Sequence, residues 1–484
     1  MKNRKLLSVL LTAALTAALA LSGCGGGSSA SSSSSAASAA EEKAEEVKET
    51  VEETAEAVEE AAADTTQKTE EAVEEAVEEV EEAAAAAVTG ENLSGEERSK
   101  LEVYNYVDDI AFGGIPTPYL ESRAGIEKAL PEPGEKKDKI HLGWSTWTLS
   151  NSYFAGTQIG FEEQCEKYGY EHTFLNSDGD PTQQSADIDT LITMGVDGII
   201  VDPQDTQSQL QDVKRAVAAG IPVIASGVPF GADAPVITTI TSSNFEGGYI
   251  TGMYVAEQYP DPLTMAYIIG MMGHPVANAR ANGFLCGFVY ERQIQKGTAL
   301  PYREEAMLEG YNLFKELEAK GSVKSDEYGI DIVAVGYGAW SEMEGMTAAE
   351  DIITAHPEIT HIFAENDHMG EGAYKVVKER GLEDQITISS AADGDAVGIG
   401  LVRDGHLMTT GYNNSVAISK RAVDLFHDVF EEGYDANNMP IMTALPVICV
   451  TADNWEDVYE DGSAYAKELP IEFITVDEYN AQNA

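Results

Sequence analysis

Residues 140–144 (IHLGW), 171–175 (EHTFL), 197–202 (DGIIVD) and 221–226 (IPVIAS) are four short apolar runs, and what separates them decides the fold. Between the runs lie segments of helical period: one around Ile159 to Tyr168, one through Ile188 and Leu191, and one from Ser208 to Ala219. Gly169, Gly195 and Gly220 stand where each helix would stop. The order is β-α-β-α-β-α-β. The runs are continuous rather than alternating, which marks strands buried on both faces in a parallel sheet covered by helices. The rhythm resumes at MAYIIG (265–270), IDIVAV (330–335), HIFAEN (361–366), QITISSA (385–391) and HLMTTGY (406–412), predicting a second doubly wound parallel sheet. Sheets of this kind bind ligands at the carboxyl ends of their strands, so the residues just after each run carry the functional reading.

After the first strand stands STWTLSNSYFAG (145–156), which holds Trp147, Asn151, Tyr153 and Phe154. After later strands stand Arg280, Trp340, Asn366, Asp393 and Asn413. Arg, Asp and Asn each engage two neighbouring hydroxyls, while flat aromatic faces cover the C–H surface of a sugar ring. A pocket built this way suits polyhydroxylated ligands. Taken singly, each residue has a duller role: Trp340 or Phe154 as core, Asn366 as a helix cap, Asp393 as the N-cap of a helix beginning near Asp395. Their shared level at the strand ends favours the site.

The motifs SNSYF (150–154), GVDGIIVDP (195–203), AAGIPVIAS (218–226), SSNFEGG (242–248), ARANGF (279–284), TAHPEITHIFAENDHM (354–369) and AADGD (391–395) follow one another across roughly 300 residues. In this order they resemble the bacterial ribose/galactose-type periplasmic binding proteins, the substrate-binding components of sugar ABC transporters. The resemblance implies two lobes joined by a three-crossing hinge that close on a ligand. It places Asn151, Tyr153 and Phe154 in the first lobe, Arg280, Trp340, Asn366 and Asp393 in the second, and Asn413 at the hinge. It implies a neutral monosaccharide as ligand, a permease with its ATPase as partner, no cofactor and no catalysis. A sensing receptor for chemotaxis or signalling, and a binder of a nucleoside or furanose signal, are the alternatives. Two features depart from the family: Gly227 and Val228 stand where its ribose binders carry an Asp-Arg pair, and the stretch from Phe288 to Tyr328 is longer.

Outside this region, Lys2, Arg4 and Lys5 precede an apolar run from Leu6 to Ala20 that is short for a membrane span. The run closes on Leu21-Ser22-Gly23-Cys24, which resembles a bacterial lipobox, so Cys24 is expected to carry lipid and anchor an extracytoplasmic protein. The net charge of -53 disfavours nucleic acid and anionic membrane surfaces as partners. Between Glu41 and Glu82, 19 acids face 3 lysines, which reads as a solvated helical or disordered spacer rather than a coiled coil, and the chain is expected to act as a monomer. Cys165, Cys286 and Cys449 read as small buried residues.

The expected division is a signal at 1–24, an acidic tether at 25–100, an extension at 101–139, a first lobe from 140–242 with 414–443, and a second from 243–413 with 444–484. Asn176, Asp178, Asp180 and Asp187 resemble part of a calcium loop, but Pro181 occupies the glycine position, so this is a turn and no metal is expected. Glu365 and Asp393 as paired glycosidase carboxylates, and His361 with His368 as a metal pair, are set aside.

Overall fold

The computed structural model describes residues 125–131, 138–230, 234–259, 262–299, 304–438, 442–445 and 447–469. The expected signal, Cys24, the tether and most of the extension lie outside the described residues. The described residues up to Arg292 and from Ala306 onward form one compact unit, to which both sheets described below belong.

The first sheet has six strands, all parallel: β1 (His141–Thr146), β2 (Glu171–Asn176), β3 (Gly198–Val201), β4 (Val223–Ser226), β5 (Thr239–Ser242) and β12 (Met442–Leu445), in the order β12-β5-β4-β3-β1-β2. Its runs are continuous because neighbours along each strand enter different cores. Leu142, Trp144, Ile200 and Ile224 pack with Phe161 and Phe426 on one face. Ile199, Val201, Val223 and Ala225 pack with Ile188, Leu191 and Val213 on the other. Each such side chain contributes about 1.5–3 kcal/mol when fully buried. The covering helices are α1 (Ser152–Tyr168), α2 (Pro181–Met194), α3 (Thr206–Ala218) and α10 (Ser415–Phe430). Ile126, from the extension, is fully buried in the first core.

The second sheet has five strands in the order β10-β9-β6-β8-β7: β6 (Leu263–Ile269), β7 (Val323–Ser325), β8 (Ile330–Tyr337), β9 (His361–Ala364) and β10 (Thr387–Ser390). It is flanked by α4 (Asn244–Gln258), α5 (Pro275–Lys296), α6 (Glu304–Lys320), α7 (Glu342–Ala355), α8 (Asp367–Glu379) and α9 (Ala396–Arg403). One face packs Ile268, Ile352, Ile362 and Val376. The aromatic cluster of Tyr267, Phe284, Phe288 and Phe363 is also buried. The chain passes between sheets three times: after β5, between β11 (Thr410–Gly411) and α10, and between Leu445 and β13 (Cys449–Val450).

Three expectations need correction. The second sheet is not wholly parallel, because the long stretch after Phe288 builds α6 and then β7, which pairs antiparallel with β8. The run at HLMTTGY does not extend that sheet. Met408 N–H reaches Ile388 O (2.7 Å), but Thr410 and Gly411 then turn away to pair antiparallel with Val450 and Cys449. The first helix starts at Ser152, not near Ile159, because the Asn151 side chain caps it, with Oδ1 accepting from Tyr153 N–H at 2.8 Å. The aspartate of the imagined calcium loop is likewise a cap: Asp180 accepts from Thr182 and Gln183 N–H at the start of α2. Among the described residues no cluster of His, Cys, Asp or Glu is arranged to hold a metal, and Cys165, Cys286 and Cys449 are free thiols.

Candidate functional site

The first lobe contributes a short aromatic wall. Capping by Asn151 makes Ser152, Tyr153 and Phe154 the opening residues of α1. Phe154 meets Trp147 edge-on at 5.2 Å and Tyr153 edge-on at 5.2 Å. The Tyr153 hydroxyl makes no hydrogen bond to protein among the described residues. Burial pushes its pKa up, and the charges acting on it are Asp202, Arg280 and Asp393.

On the second lobe, Arg280 is positioned by helix contact. Gly248 and Gly252 of α4 lie directly on the carbonyls of Arg280 and Phe284, while Gly283 and Gly287 of α5 lie on those of Phe245 and Tyr249. Only hydrogen fits at these four positions, so the two helix backbones touch. That contact brings Arg280 Nε to Asn244 Oδ1 at 3.0 Å. The terminal nitrogens of the guanidinium make no hydrogen bond to protein among the described residues, although Arg280 is only 6% exposed.

Trp340 follows β8 in a left-handed turn: Ala339 has φ +46° and Trp340 +52°. Its indole lies on Gly270, where no Cβ fits, and meets the His274 ring edge-on at 4.9 Å. Burial, then the charge of Arg280, lowers the His274 pKa to about 4, so this ring is neutral. The indole N–H is buried beside the Glu365 carboxyl but finds no partner in hydrogen-bond geometry.

Asn366 and Asp393 form the other side. Asn366 caps α8 by accepting from Met369 N–H (3.1 Å), and its amide donates to Asp393 Oδ2 at 2.8 Å. The cap and site readings of Asn366 both hold, since its two polar atoms serve one each. For Asp393 the cap reading fails: the N-cap of α9 is Asp395, accepting from Val397 and Gly398 N–H. Asp393 instead has φ +86°, and the turn is held by Asp367, whose Oδ2 accepts from Gly394 N–H (2.9 Å) and Thr410 Oγ1 (2.7 Å). Burial raises the pKa of Asp393, opposed by His368 and Arg280. Burial, then Asp393 and Asp395, holds Asp367 well above the usual range. Of the four non-glycine residues with positive φ among those described, three are Ala339, Trp340 and Asp393, so backbone strain concentrates here.

The lobes meet directly. Asn151 Nδ2 donates to Trp340 O at 3.4 Å. Ser152 Oγ donates to Asp395 Oδ2 at 2.7 Å and, with its proton so committed, accepts from His368 Nε2 at 3.0 Å. A small cavity between them is lined by Ser152, Tyr153, Asp393, Asp395, Asn413 and Tyr465, among others. Asn413 Oδ1 is buried there without a partner.

Eight of the nine expected residues stand at strand ends or helix starts, and Arg280 lies in the second turn of α5. Sequence reasoning missed Ser152, His368 and Asp395, which bind one lobe to the other, and Tyr465. It also passed over Asp202, the last residue of the quoted DGIIVD run, which is buried at the end of β3.

Residues 142–433 match the family model described as periplasmic binding protein domain. The ribose import binding protein of Escherichia coli is 26% identical over 291 residues, covering 60% of this chain and 84% of that protein. The one from Bacillus subtilis is 23% identical over 302 residues, covering 62% and 85%. Among solved structures, a solute-binding protein from Mycobacterium smegmatis with bound glycerol superposes with TM-score 0.56 at 22% identity, over 68% of this chain and all of that one. One from Actinobacillus succinogenes with bound D-allose gives 0.53 at 23%, over 66% and 100%. The match over more than half the sequence, on a fold of two sheets with three crossings, shows that the chain belongs to the periplasmic binding protein domain family.

Proposed function

We propose that this protein is an extracytoplasmic solute-binding protein that captures a neutral monosaccharide between its lobes and delivers it to an ABC permease. One observation carries the reading: among the described residues, buried or nearly buried hydrogen-bonding atoms converge from both lobes without protein partners. They are the terminal nitrogens of Arg280, the Tyr153 hydroxyl and Asn413 Oδ1. Leaving such atoms unpaired costs about 1–3 kcal/mol each, and a ring of vicinal hydroxyls meets them. Arg280 and the carboxylate of Asp393 act on the same region, so the site does not demand a charged ligand. The relatives support this class, being named for ribose import. Lipid attachment at Cys24 belongs to the same proposal; a membrane fraction from a Cys24→Ala strain should release the protein and lack the diacylglycerol mass.

A thermal-shift screen of monosaccharides, nucleosides and amino acids tests the ligand. A ligand at a hundred times its dissociation constant adds about 2.7 kcal/mol of stability. Sugars should stabilise the wild type and lose most of that effect on Trp340→Ala and Asp393→Ala. Stabilisation by amino acids alone, or equal stabilisation of all three proteins by sugars, would reject the assignment.

A further inference from the structure

We infer that Asp202 is a specificity-determining residue of the first lobe: with the Tyr153 hydroxyl it forms a polar corner, uncovered by Gly227, that accepts a hydrogen bond from one ligand hydroxyl. This rests on the reading of the cleft as a site for polyhydroxylated ligands. Asp202 follows β3, a central strand of the first sheet, and its backbone N–H is fixed on Ser145 O at 2.9 Å. The residue is 2% exposed, and among the described residues no ion pair reaches its carboxyl; Thr146 Oγ1 donates to it at 3.4 Å. A buried carboxylate without a paired countercharge is costly to a fold, so it is kept for something other than packing.

The neighbouring backbone explains what it is open to. Gly227 ends β4 with φ +70°, and a Cβ there would stand 3.1 Å from Asp202 Oδ1 and 3.7 Å from Tyr153 Oη. Any side chain at 227 would cover both oxygens. The absence of one leaves them facing a common gap, in the place where the ribose binders carry their Asp-Arg pair. Tyr153 connects this corner to the second lobe, since Asp202 on one side and Arg280 and Asp393 on the other all act on its hydroxyl. Burial raises the Asp202 pKa to about 7, opposed by donors on Ser226, Thr146 and Trp144.

The test measures calorimetric affinities for D-ribose, D-allose and D-galactose, and for the mono-deoxy analogues of whichever binds best. The proteins are wild type, Asp202→Asn, Asp202→Ala and Gly227→Ala, each checked for folding by its melting transition. Asp202→Ala should weaken the parent sugar 10- to 100-fold. It should leave unchanged the affinity for one deoxy analogue, the one lacking the hydroxyl that Asp202 meets. Asp202→Asn, which keeps an acceptor oxygen, should retain more affinity than Asp202→Ala, and Gly227→Ala should weaken the same hydroxyl contact. Wild-type affinity in folded Asp202→Ala, or an equal loss for every analogue, overturns the role of Asp202 while leaving the sugar reading intact. A wild type that binds none of these sugars overturns both.

Discussion

Glu365 shows how closely the pocket's chemistry is tied to its stability. The side chain is fully buried, Oε2 accepts from Gly270 N–H at 2.7 Å, and Oε1 has no partner. Burial raises its pKa from 4.5 to about 8. At Glu365 the folded protein therefore holds a proton that the unfolded chain releases, so the stability this group contributes is fully present below about pH 4.5 and is lost as pH rises towards 8. Urea denaturation of Glu365→Gln across this window should show a shallower decline than wild type, the difference reaching a few kcal/mol, on the order of 1.4 kcal/mol per pH unit at most. Parallel curves would mean that Glu365 ionises freely in the folded state. The positions of Asn366 and Asp393 at strand ends were legible because each follows an apolar run in a two-sheet pattern, and Arg280 lies in the helix after β6. Asp202 stood in the same position, but its meaning depends on Gly227 lying across the strand ends, and that proximity is a property of the folded sheet. Ser152 and His368, 216 positions apart, give no sequence signal of their contact.

Elements were read best where periodicity was strong and worst where partners are remote. The eight strands from His141 to Ser226 and from Leu263 to Ser390 that carry apolar runs stand where expected. β12 was missed, because Met442–Leu445 is a run of four whose pairing with β5 bridges two hundred residues. β7 was missed because Val323–Ser325 has one buried position out of three. Glycine weakens a helix interior, yet in the fold the four glycines between α4 and α5 are what sets Arg280 on Asn244. Gly283→Ala should push the helices apart at a cost of about 1–3 kcal/mol. It should also weaken ligand binding more than an alanine of equal destabilisation placed elsewhere, which paired denaturation and calorimetry would show. An affinity loss no larger than that control's would mean that Arg280 adjusts independently of the helix contact.

The chain as assembled explains why length outside the sheets matters unevenly. Ile126 is fully buried in the first core and Ala129 in the second, so the extension is partly structural, a role its Pro- and Lys-rich sequence did not disclose. A chain beginning at Leu101 should match the full-length protein in melting temperature and affinity. One beginning at Lys139 should lose about 2–5 kcal/mol, the range for removing a buried Ile. Equal stability of the two would show that Ile126 is dispensable. The contact of Ser152 with Asp395 and His368 has a further consequence. A hydrogen bond to a charged group contributes about 1.5–3 kcal/mol, and it joins the lobes through protein atoms alone. If the lobes hinge as the resemblance implies, that bond makes the empty molecule visit the shut form about tenfold more often than it would without it. Any partner that senses shape rather than cargo encounters a standing background of vacant, shut protein. Discrimination then falls to the difference that a bound ring adds, and Ser152→Ala would widen it by lowering the background while sparing every atom that converges on the ring.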